Sequence, residues 1–147
     1  MIDNLSKFIP NFKRPRPHLI TGGQPEAKAW KAIANGGVTV VVNLRPDSEL
    51  PGRDEAQEVK EANLTYVNVP VVGPVSLNKE QALELWKVIE NSEGAVLVHC
   101  GTGNRCGALL ALTEAWFDQC ETEDAVAFGK QAGLSGLEPV VRDILKK

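Results

Sequence analysis

The sequence predicts a single α/β domain over residues 1–147, built on a central, mainly parallel sheet of four to five strands that is flanked by helices. Short runs rich in β-branched residues alternate along the chain with stretches of helical periodicity, the pattern of parallel strands joined by helices. A length of 147 residues with 43% hydrophobic residues fits one domain with an ordinary core.

The first half of the chain contributes two strands and one helix. Residues 18–21 predict a short strand, and a helix is expected to start at Pro25 and to end at Gly36-Gly37. Residues 38–44 (VTVVVNL) are almost continuously β-branched or apolar, which predicts a central strand covered on both faces. The preceding basic residues, Lys13 to Arg16, are interrupted by proline and predict a solvated entry segment.

The second half adds two more strands and five helices. A polar helix is expected after the loop 45–52, then a third strand at residues 65–71 (TYVNVPV) and a break at Gly73-Pro74. Asn78 and Gln81 form a capping-box pattern for the next helix. The fourth strand, at residues 95–99 (AVLVH), leads into a helix that begins near Arg105, and two shorter helices close the chain.

Charge and cysteine content exclude several classes of function. A net charge of −3 disfavours nucleic acid and anionic membranes as partners, and no apolar run is long enough to span a membrane. The three cysteines form no Cys-x-x-Cys pair and, with only two histidines, show no zinc spacing, so neither a metal nor another cofactor is expected. Free thiols and the absence of a secretory signal predict a cytoplasmic protein.

The stretch HCGTGNRC, residues 99–106, has the features of an anion-binding loop. It lies between a buried strand and a helix, where successive backbone N–H groups converge on one point. Glycine tolerates positive φ and lets the main chain approach a ligand, and the arginine fork matches two oxygens of one phosphoryl group. The predicted cradle consists of Gly101, Thr102, Gly103, Asn104 and Arg105.

Cys100 stands at the start of this loop, where oriented amides and a guanidinium favour its thiolate over its thiol. A free thiol is already a few per cent ionised at neutral pH, so ionisation alone increases the amount of nucleophile only about thirtyfold. Most of the acceleration in a phosphate-cleaving site would have to come from the amides and Arg105 stabilising charge on the phosphoryl oxygens.

The pair His99-Cys100, followed by Gly103 and Arg105, resembles the signature of the cysteine-dependent protein tyrosine and dual-specificity phosphatases. The segments TGGQP, VTVVVNLRPDSE and YVNVPV resemble, in order, a bacterial phosphatase-like group related to the domain associated with β-lactamase-like hydrolases. The resemblance implies a phosphatase fold and cleavage of phosphomonoesters on proteins or small molecules. It also implies that Cys100 becomes a cysteinyl-phosphate while Arg105 binds the phosphate.

The resemblance also implies an aspartate that protonates the leaving oxygen, often after the third strand, but residues 71–78 contain no acid. Asp47, in the loop after the central strand, is the predicted general acid; the neighbouring Glu49, Asp54 and Glu55 are rivals. An equally open interpretation makes these carboxylates solvated residues of the loop and of the helix start.

Three supporting roles are also expected. His99 is predicted to orient the loop by hydrogen bonding, and Arg45 either assists anion binding or pairs with Asp47 or another nearby carboxylate. Cys106 is either a small core residue or a resolving thiol for oxidised Cys100.

Two other functions remain open. GTGN places four residues between Cys100 and Arg105 where the phosphatase signature has five, and the pattern Cys-x-x-Gly-x-Arg also resembles rhodanese sulfurtransferases. The Asp-x-Arg strand end and Gly-His-Ile segment of those proteins are absent from the sequence. A module that binds anions without turnover is the third interpretation.

Overall fold

A five-stranded sheet forms the centre of the protein, as a computed structural model that describes residues 2–73 and 77–146 shows. The strand order is β1-β2-β5-β3-β4; β1 is antiparallel to β2, and all the other neighbours are parallel. The strands are β1 (Lys13–Arg16), β2 (Leu19–Gly22), β3 (Val38–Asn43), β4 (Thr65–Asn68) and β5 (Ala95–His99). The predicted mainly parallel α/β architecture is confirmed.

Six α-helices are described, together with short 3-10 turns at Ile2–Lys7, Ala27–Ala29 and Asp47–Glu49. The helices are α1 (Trp30–Asn35), α2 (Glu55–Glu61), α3 (Lys79–Asn91), α4 (Asn104–Phe117), α5 (Thr122–Gln131) and α6 (Glu138–Lys146). The predicted capping box begins α3: the Asn78 side chain accepts the Gln81 N–H at 2.9 Å, and the Gln81 side chain accepts the Asn78 N–H at 3.1 Å. Among the described residues, no helix is long and apolar enough to cross a membrane.

Hydrophobic layers cover both faces of the sheet, as the β-branched run of β3 predicts. Successive residues of β5 alternate between the layers: Val96 and Val98 pack with α3 and α4, whereas Leu97 packs with α1 and the N-terminal turn. Leu97, Val98, Val41 and Val42 are all fully buried, so β5 and β3 form the rigid centre of the fold. The site at the end of β5 therefore rests on the best-packed part of the molecule.

Three expectations need correction. The basic segment is an edge strand because its backbone pairs with β2, and its Arg14 and Arg16 form ion pairs with Asp3 and the buried Glu114. The first helix does not start at Pro25: the chain forms a 3-10 turn at Ala27–Ala29 and becomes α-helical only at Trp30. The third strand ends at Asn68, although the N–H groups of residues 69 and 71 still bond to carbonyls at the end of β3 and just beyond it. The predicted break at Gly73-Pro74 lies partly outside the described residues.

Candidate active site

The loop between β5 and α4 wraps around the sulfur of Cys100. Strand β5 ends at His99, and α4 begins at Asn104 after the N-cap Gly103. Gly103 has φ of +102°, a conformation that a residue with a Cβ rarely adopts, and this conformation lets its N–H donate to the Cys100 sulfur at 3.0 Å. The glycine-bearing loop therefore directs a main-chain donor at the sulfur, as the sequence predicts.

The turn after β2 lies directly against this loop. The carbonyl of Gly22 accepts the N–H of Cys100 at 3.2 Å, and a Cβ on Gly23 would lie 2.6 Å from the carbonyl oxygen of Gly101. No residue larger than glycine fits at that distance. The segment TGG thus has a second use beyond forming a turn, because it lets two pieces of backbone meet beside the sulfur.

The environment of Cys100 favours the thiolate. Its pKa is lowered from 9.0 to about 5, first by a hydrogen bond from the Cys106 thiol and then by the backbone N–H groups of residues 106, 103 and 102, while burial opposes the shift. Only 1% of Cys100 is exposed. At neutral pH the ionised form of this buried sulfur is therefore favoured over the thiol.

Cys106 contributes the largest of these effects, which the sequence interpretation did not anticipate. Its side chain is fully buried, and its single thiol hydrogen has three alternative acceptors: the Val98 carbonyl at 3.4 Å, the Gly22 carbonyl at 3.9 Å and the Cys100 sulfur. Burial and the neighbouring Cys100 raise the pKa of Cys106 well above its usual value, so Cys106 stays protonated and acts as a donor. Whether it also resolves an oxidised Cys100 stays a prediction.

Arg105 is held by one edge of its guanidinium and leaves the other edge to the loop. Nη1 and Nη2 donate to the two carboxylate oxygens of Glu49 at 2.9 and 2.8 Å, and Nη1 also donates to the Val71 carbonyl at 2.9 Å. The remaining N–H groups, on Nε and Nη2, form the other edge of the planar guanidinium; Nη2 lies close to Gly101, and the guanidinium interacts with Cys100. A phosphoryl group above the sulfur would meet this second fork.

Glu49 also forms hydrogen bonds with a second arginine, Arg45. Arg45 donates from Nε to the Glu49 carboxylate at 3.2 Å and from Nη2 to the Glu49 carbonyl at 2.8 Å. The pKa of Glu49 is lowered mainly by its hydrogen bonds to Arg105, so it is ionised at neutral pH and unsuited to donate a proton. Of the two roles left open for Arg45, the structure places it in a pair with a nearby carboxylate.

Gln24 links this pair to the histidine before the nucleophile. Its amide oxygen accepts from Arg45 at 2.9 Å, and its amide nitrogen donates to Glu55 at 2.7 Å. The other Glu55 oxygen lies 2.6 Å from Nε2 of His99, and both of these side chains are buried. A polar chain therefore runs around the loop from Arg105 through Glu49, Arg45, Gln24 and Glu55 to His99.

Sequence reasoning assigned no role to Gln24. The one available signal was its place in TGGQP, one of the segments that carry the resemblance to the bacterial phosphatase-like group. An amide is suited to this position because it offers an acceptor to an arginine and a donor to a carboxylate at the same time. His99 bonds through Nε2 to Glu55, and its Nδ1 has no partner among the described residues. Its role in orienting the loop stays a prediction.

Comparison with known proteins places this geometry in a family. Residues 18–116, about two thirds of the chain, match the model of the phosphatase-like domain of beta-lactamase hydrolase-like proteins. The chain belongs to this phosphatase-like family. The match spans β2 to α4 and so contains Gln24, Glu49, the Cys100 loop and Arg105.

Similarity to individual proteins is consistent with this family membership. A beta-lactamase hydrolase-like protein of Xylella fastidiosa is 34% identical over 119 residues, which cover 78% of this chain but only 27% of that protein. A candidate phosphatase (DUF442) of Shewanella putrefaciens has the same fold, with a TM-score of 0.75, 25% identity and coverage of 99% and 97% of the two chains. TpbA of Pseudomonas aeruginosa, solved as a cysteine-to-serine variant in complex with pTyr, shares the fold at a TM-score of 0.69, 18% identity and coverage of 90% and 81%.

The predicted carboxylates of the phosphatase-like domain have different surroundings. Asp47 is exposed at the start of its 3-10 turn, and its carboxylate makes no hydrogen bond or ion pair among residues 2–73 and 77–146. Asp54 is the N-cap of α2 and accepts the N–H of Gln57, and Glu55 is buried against His99. Asp47 and Asp54 both line a cavity of about 520 Å³ at the carboxyl ends of β3 and β4.

The loop residues of the phosphatase-like domain also differ in what they offer an anion. The Asn104 carboxamide oxygen accepts the N–H groups of Ser135 and Leu137 at 2.8 and 3.3 Å, so this oxygen is already engaged within the protein. Thr102 is exposed, and its carbonyl accepts from the side chain of Asn11 at 3.0 Å. The described residues contain no cluster of three or more His, Cys, Asp or Glu arranged to hold a metal ion.

Proposed function

We propose that the protein is a cysteine-dependent phosphomonoesterase. The observation that carries the proposal is the Cys100 sulfur, held by the Gly103 N–H at 3.0 Å beside the edge of Arg105 that faces away from Glu49. Family membership supports phosphate chemistry over the sulfurtransferase and the inactive-module interpretations.

In this mechanism the Cys100 thiolate attacks phosphorus, the bond to the leaving oxygen breaks, and a cysteinyl-phosphate forms. Water then attacks phosphorus, which releases inorganic phosphate and returns the thiolate. The amides of residues 101–105 and the second fork of Arg105 bind the three non-bridging oxygens, on which charge develops in the transition state. A low pKa of Cys100 also makes its sulfur a good leaving group in the second step.

We assign the general acid to Asp47. Among the four carboxylates of residues 47–55, Glu49 is engaged by two arginines, Asp54 caps a helix, and Glu55 bonds to His99. Of these four carboxylates, that of Asp47 alone has no bonded partner among the described residues. An exposed carboxylate without a fixed position protonates a leaving group inefficiently, so aryl phosphates, phosphotyrosine included, are proposed to react faster than alkyl phosphates.

The proposal requires Cys100 to remain reduced, which fits a cytoplasmic location. Its substrate is a phosphorylated protein or small molecule; TpbA, a structural neighbour, is known with pTyr bound. We also propose that the enzyme accepts phosphorylated side chains in the manner of tyrosine or dual-specificity phosphatases.

The test compares hydrolysis of an aryl phosphate by the native protein, Cys100→Ser and Cys120→Ser, where Cys120 is a partly exposed cysteine at the far end of α4. The native protein and Cys120→Ser should release phosphate at equal rates, and Cys100→Ser should release none. Acid quenching should trap a phosphoryl group on Cys100, visible by mass spectrometry. Equal activity in Cys100→Ser refutes the mechanism, and sulfur transfer from thiosulfate to Cys100 without phosphate release would favour the rhodanese-like alternative.

A further inference from the structure

We propose that Asn11 is a positioning residue: its side chain holds the peptide between Thr102 and Gly103 in the one orientation that turns the Gly103 N–H toward the Cys100 sulfur. Asn11 lies 91 residues away from Thr102 in the sequence. The effect of Asn11 on catalytic rate rests on the proposed function, but its effect on the sulfur does not.

The argument starts from the geometry of one peptide group. The carbonyl oxygen of Thr102 and the N–H of Gly103 belong to the same planar unit, and no cis peptide bond is present among the described residues, so the two groups point in opposite directions. The oxygen accepts from Asn11 Nδ2 at 3.0 Å, and the N–H donates to Cys100 Sγ at 3.0 Å. A contact on one side of the peptide therefore fixes what the other side presents.

This peptide needs such a contact because the chain around it constrains it weakly. Gly103 follows it and Gly101 precedes Thr102, so glycines flank the unit, and Thr102 itself is exposed. If the peptide rotated by half a turn, it would direct the Thr102 carbonyl oxygen at the sulfur. A carbonyl dipole in that orientation repels a thiolate, whereas the N–H stabilises it.

Asn11 is itself held in place. Its backbone has φ of +54°, in the left-handed region that asparagine adopts more readily than most residues. The preceding residues anchor it: Ile9 is buried, and the Pro10 carbonyl accepts the N–H of Gly23 at 2.7 Å, next to the contact between Gly23 and Gly101. The N-terminal segment is thus anchored beside the loop, and the Asn11 amide reaches the loop from it.

The test measures the titration midpoint of the Cys100 thiolate by ultraviolet absorbance, each variant being compared with its own Cys100→Ser form. Asn11→Gly keeps the left-handed backbone and removes only the amide. Asn11→Asp keeps the backbone preference but presents acceptors where the Thr102 oxygen needs a donor. The matched control is Asn63→Gly, because Asn63 is also an asparagine at positive φ, 65°, at the end of α2 and outside the loop.

Asn11→Gly and Asn11→Asp should raise the midpoint by about half to one pKa unit, a threefold to tenfold change, while Asn63→Gly leaves it unchanged. Equal midpoints in native protein and in both Asn11 variants overturn the proposal. So does an equal shift in Asn63→Gly, because the effect would then come from general loosening of the fold. A protein that titrates as expected yet hydrolyses no aryl phosphate would refute the proposed function and leave the role of Asn11 intact.

Discussion

Replacing Glu49 by glutamine tests how Arg105 is held for catalysis. The carboxylate of Glu49 accepts two hydrogen bonds from Arg105, at 2.9 and 2.8 Å, and a third from Arg45 at 3.2 Å. Glutamine has nearly the same shape, but it is neutral and turns an N–H₂ group toward arginine donors. Glu49→Gln therefore leaves the charge of Arg105 intact while removing the bidentate contact that orients it.

The size of the effect follows from the exposure of the pair. Hydrogen bonds to charged groups each contribute roughly 1.5–3 kcal/mol, and solvent screens the weaker ones. The side chain of Arg105 is 19% exposed and that of Glu49 is 30% exposed. We therefore expect the variant to lose about 1.5–2 kcal/mol of the free energy that orients the Arg105 guanidinium. At about 1.4 kcal/mol per factor of ten, kcat for an aryl phosphate should fall roughly tenfold to thirtyfold.

Binding of inorganic phosphate should respond differently. Removing the negative charge of Glu49 increases the attraction of the site for an anion, which offsets the poorer alignment of Arg105. The inhibition constant for phosphate should therefore stay within about threefold of the native value while kcat falls. Steady-state kinetics with phosphate as a competitive inhibitor measure both quantities.

Glu58→Gln is the matched control. Glu58 accepts a similar fork from Arg53, with both side chains 21% exposed, but it lies on α2 and not beside the Cys100 loop. The Glu58→Gln variant should be less stable than the native protein but should keep the native kcat. The reasoning is refuted if Glu49→Gln keeps native kcat, or if the two variants lose activity equally. Complete inactivation, as expected for Cys100→Ser, would also refute it, because Glu49 would then take part in the chemistry itself.

Three further predictions concern the remaining groups of the site. Asp47→Asn should slow an alkyl phosphate at least several-fold more than an aryl phosphate with a good leaving group, and equal slowing measured on the two substrates would remove Asp47 as the general acid. Cys106→Ala removes the largest thiolate-stabilising donor, so the absorbance midpoint of Cys100 should rise from about 5, whereas an unchanged midpoint contradicts that role. The pKa of Cys100 is lowered in the folded state, so the stability that its thiolate contributes is fully present above the reference value of 9.0 and is lost as pH falls toward 5. Denaturant unfolding of the native protein relative to Cys100→Ser should show stability rising with pH across that window, by up to about 1.4 kcal/mol per pH unit, and a flat difference would refute the shift.

The sequence predicts the architecture well where local pattern and packing agree. Three sequence patterns each have a single structural interpretation: the β-branched run of β3, the capping box at Asn78 and Gln81, and the glycines around Cys100. The structure contains all three features. The edge strand β1 was missed because its one proline and three basic residues do not form a strand pattern. Strand pairing and the ion pairs of Arg14 and Arg16 with distant acids stabilise it instead.

For the candidate site, the sequence could predict only those contacts whose residues are neighbours along the chain. Cys100, Gly103 and Arg105 belong to one loop, so their meeting follows from strand and helix positions. Contacts from elsewhere are not readable in the same way: Asn11 reaches Thr102 from 91 residues away, and Glu49 reaches Arg105 from 56 residues away. Local spacing cannot rank Glu49 against Asp47, because only the fold decides which carboxylate faces the arginine.

A crystal structure of the Cys100→Ser variant grown with tungstate, a tetrahedral mimic of the phosphoryl group, tests the central claim most directly. The account predicts one tungstate above residue 100, with oxygens bound by the N–H groups of residues 101–105 and by Nε and Nη2 of Arg105, while Glu49 keeps the opposite edge. An empty loop at saturating tungstate, or an anion bound elsewhere with the loop amides turned away, would contradict it.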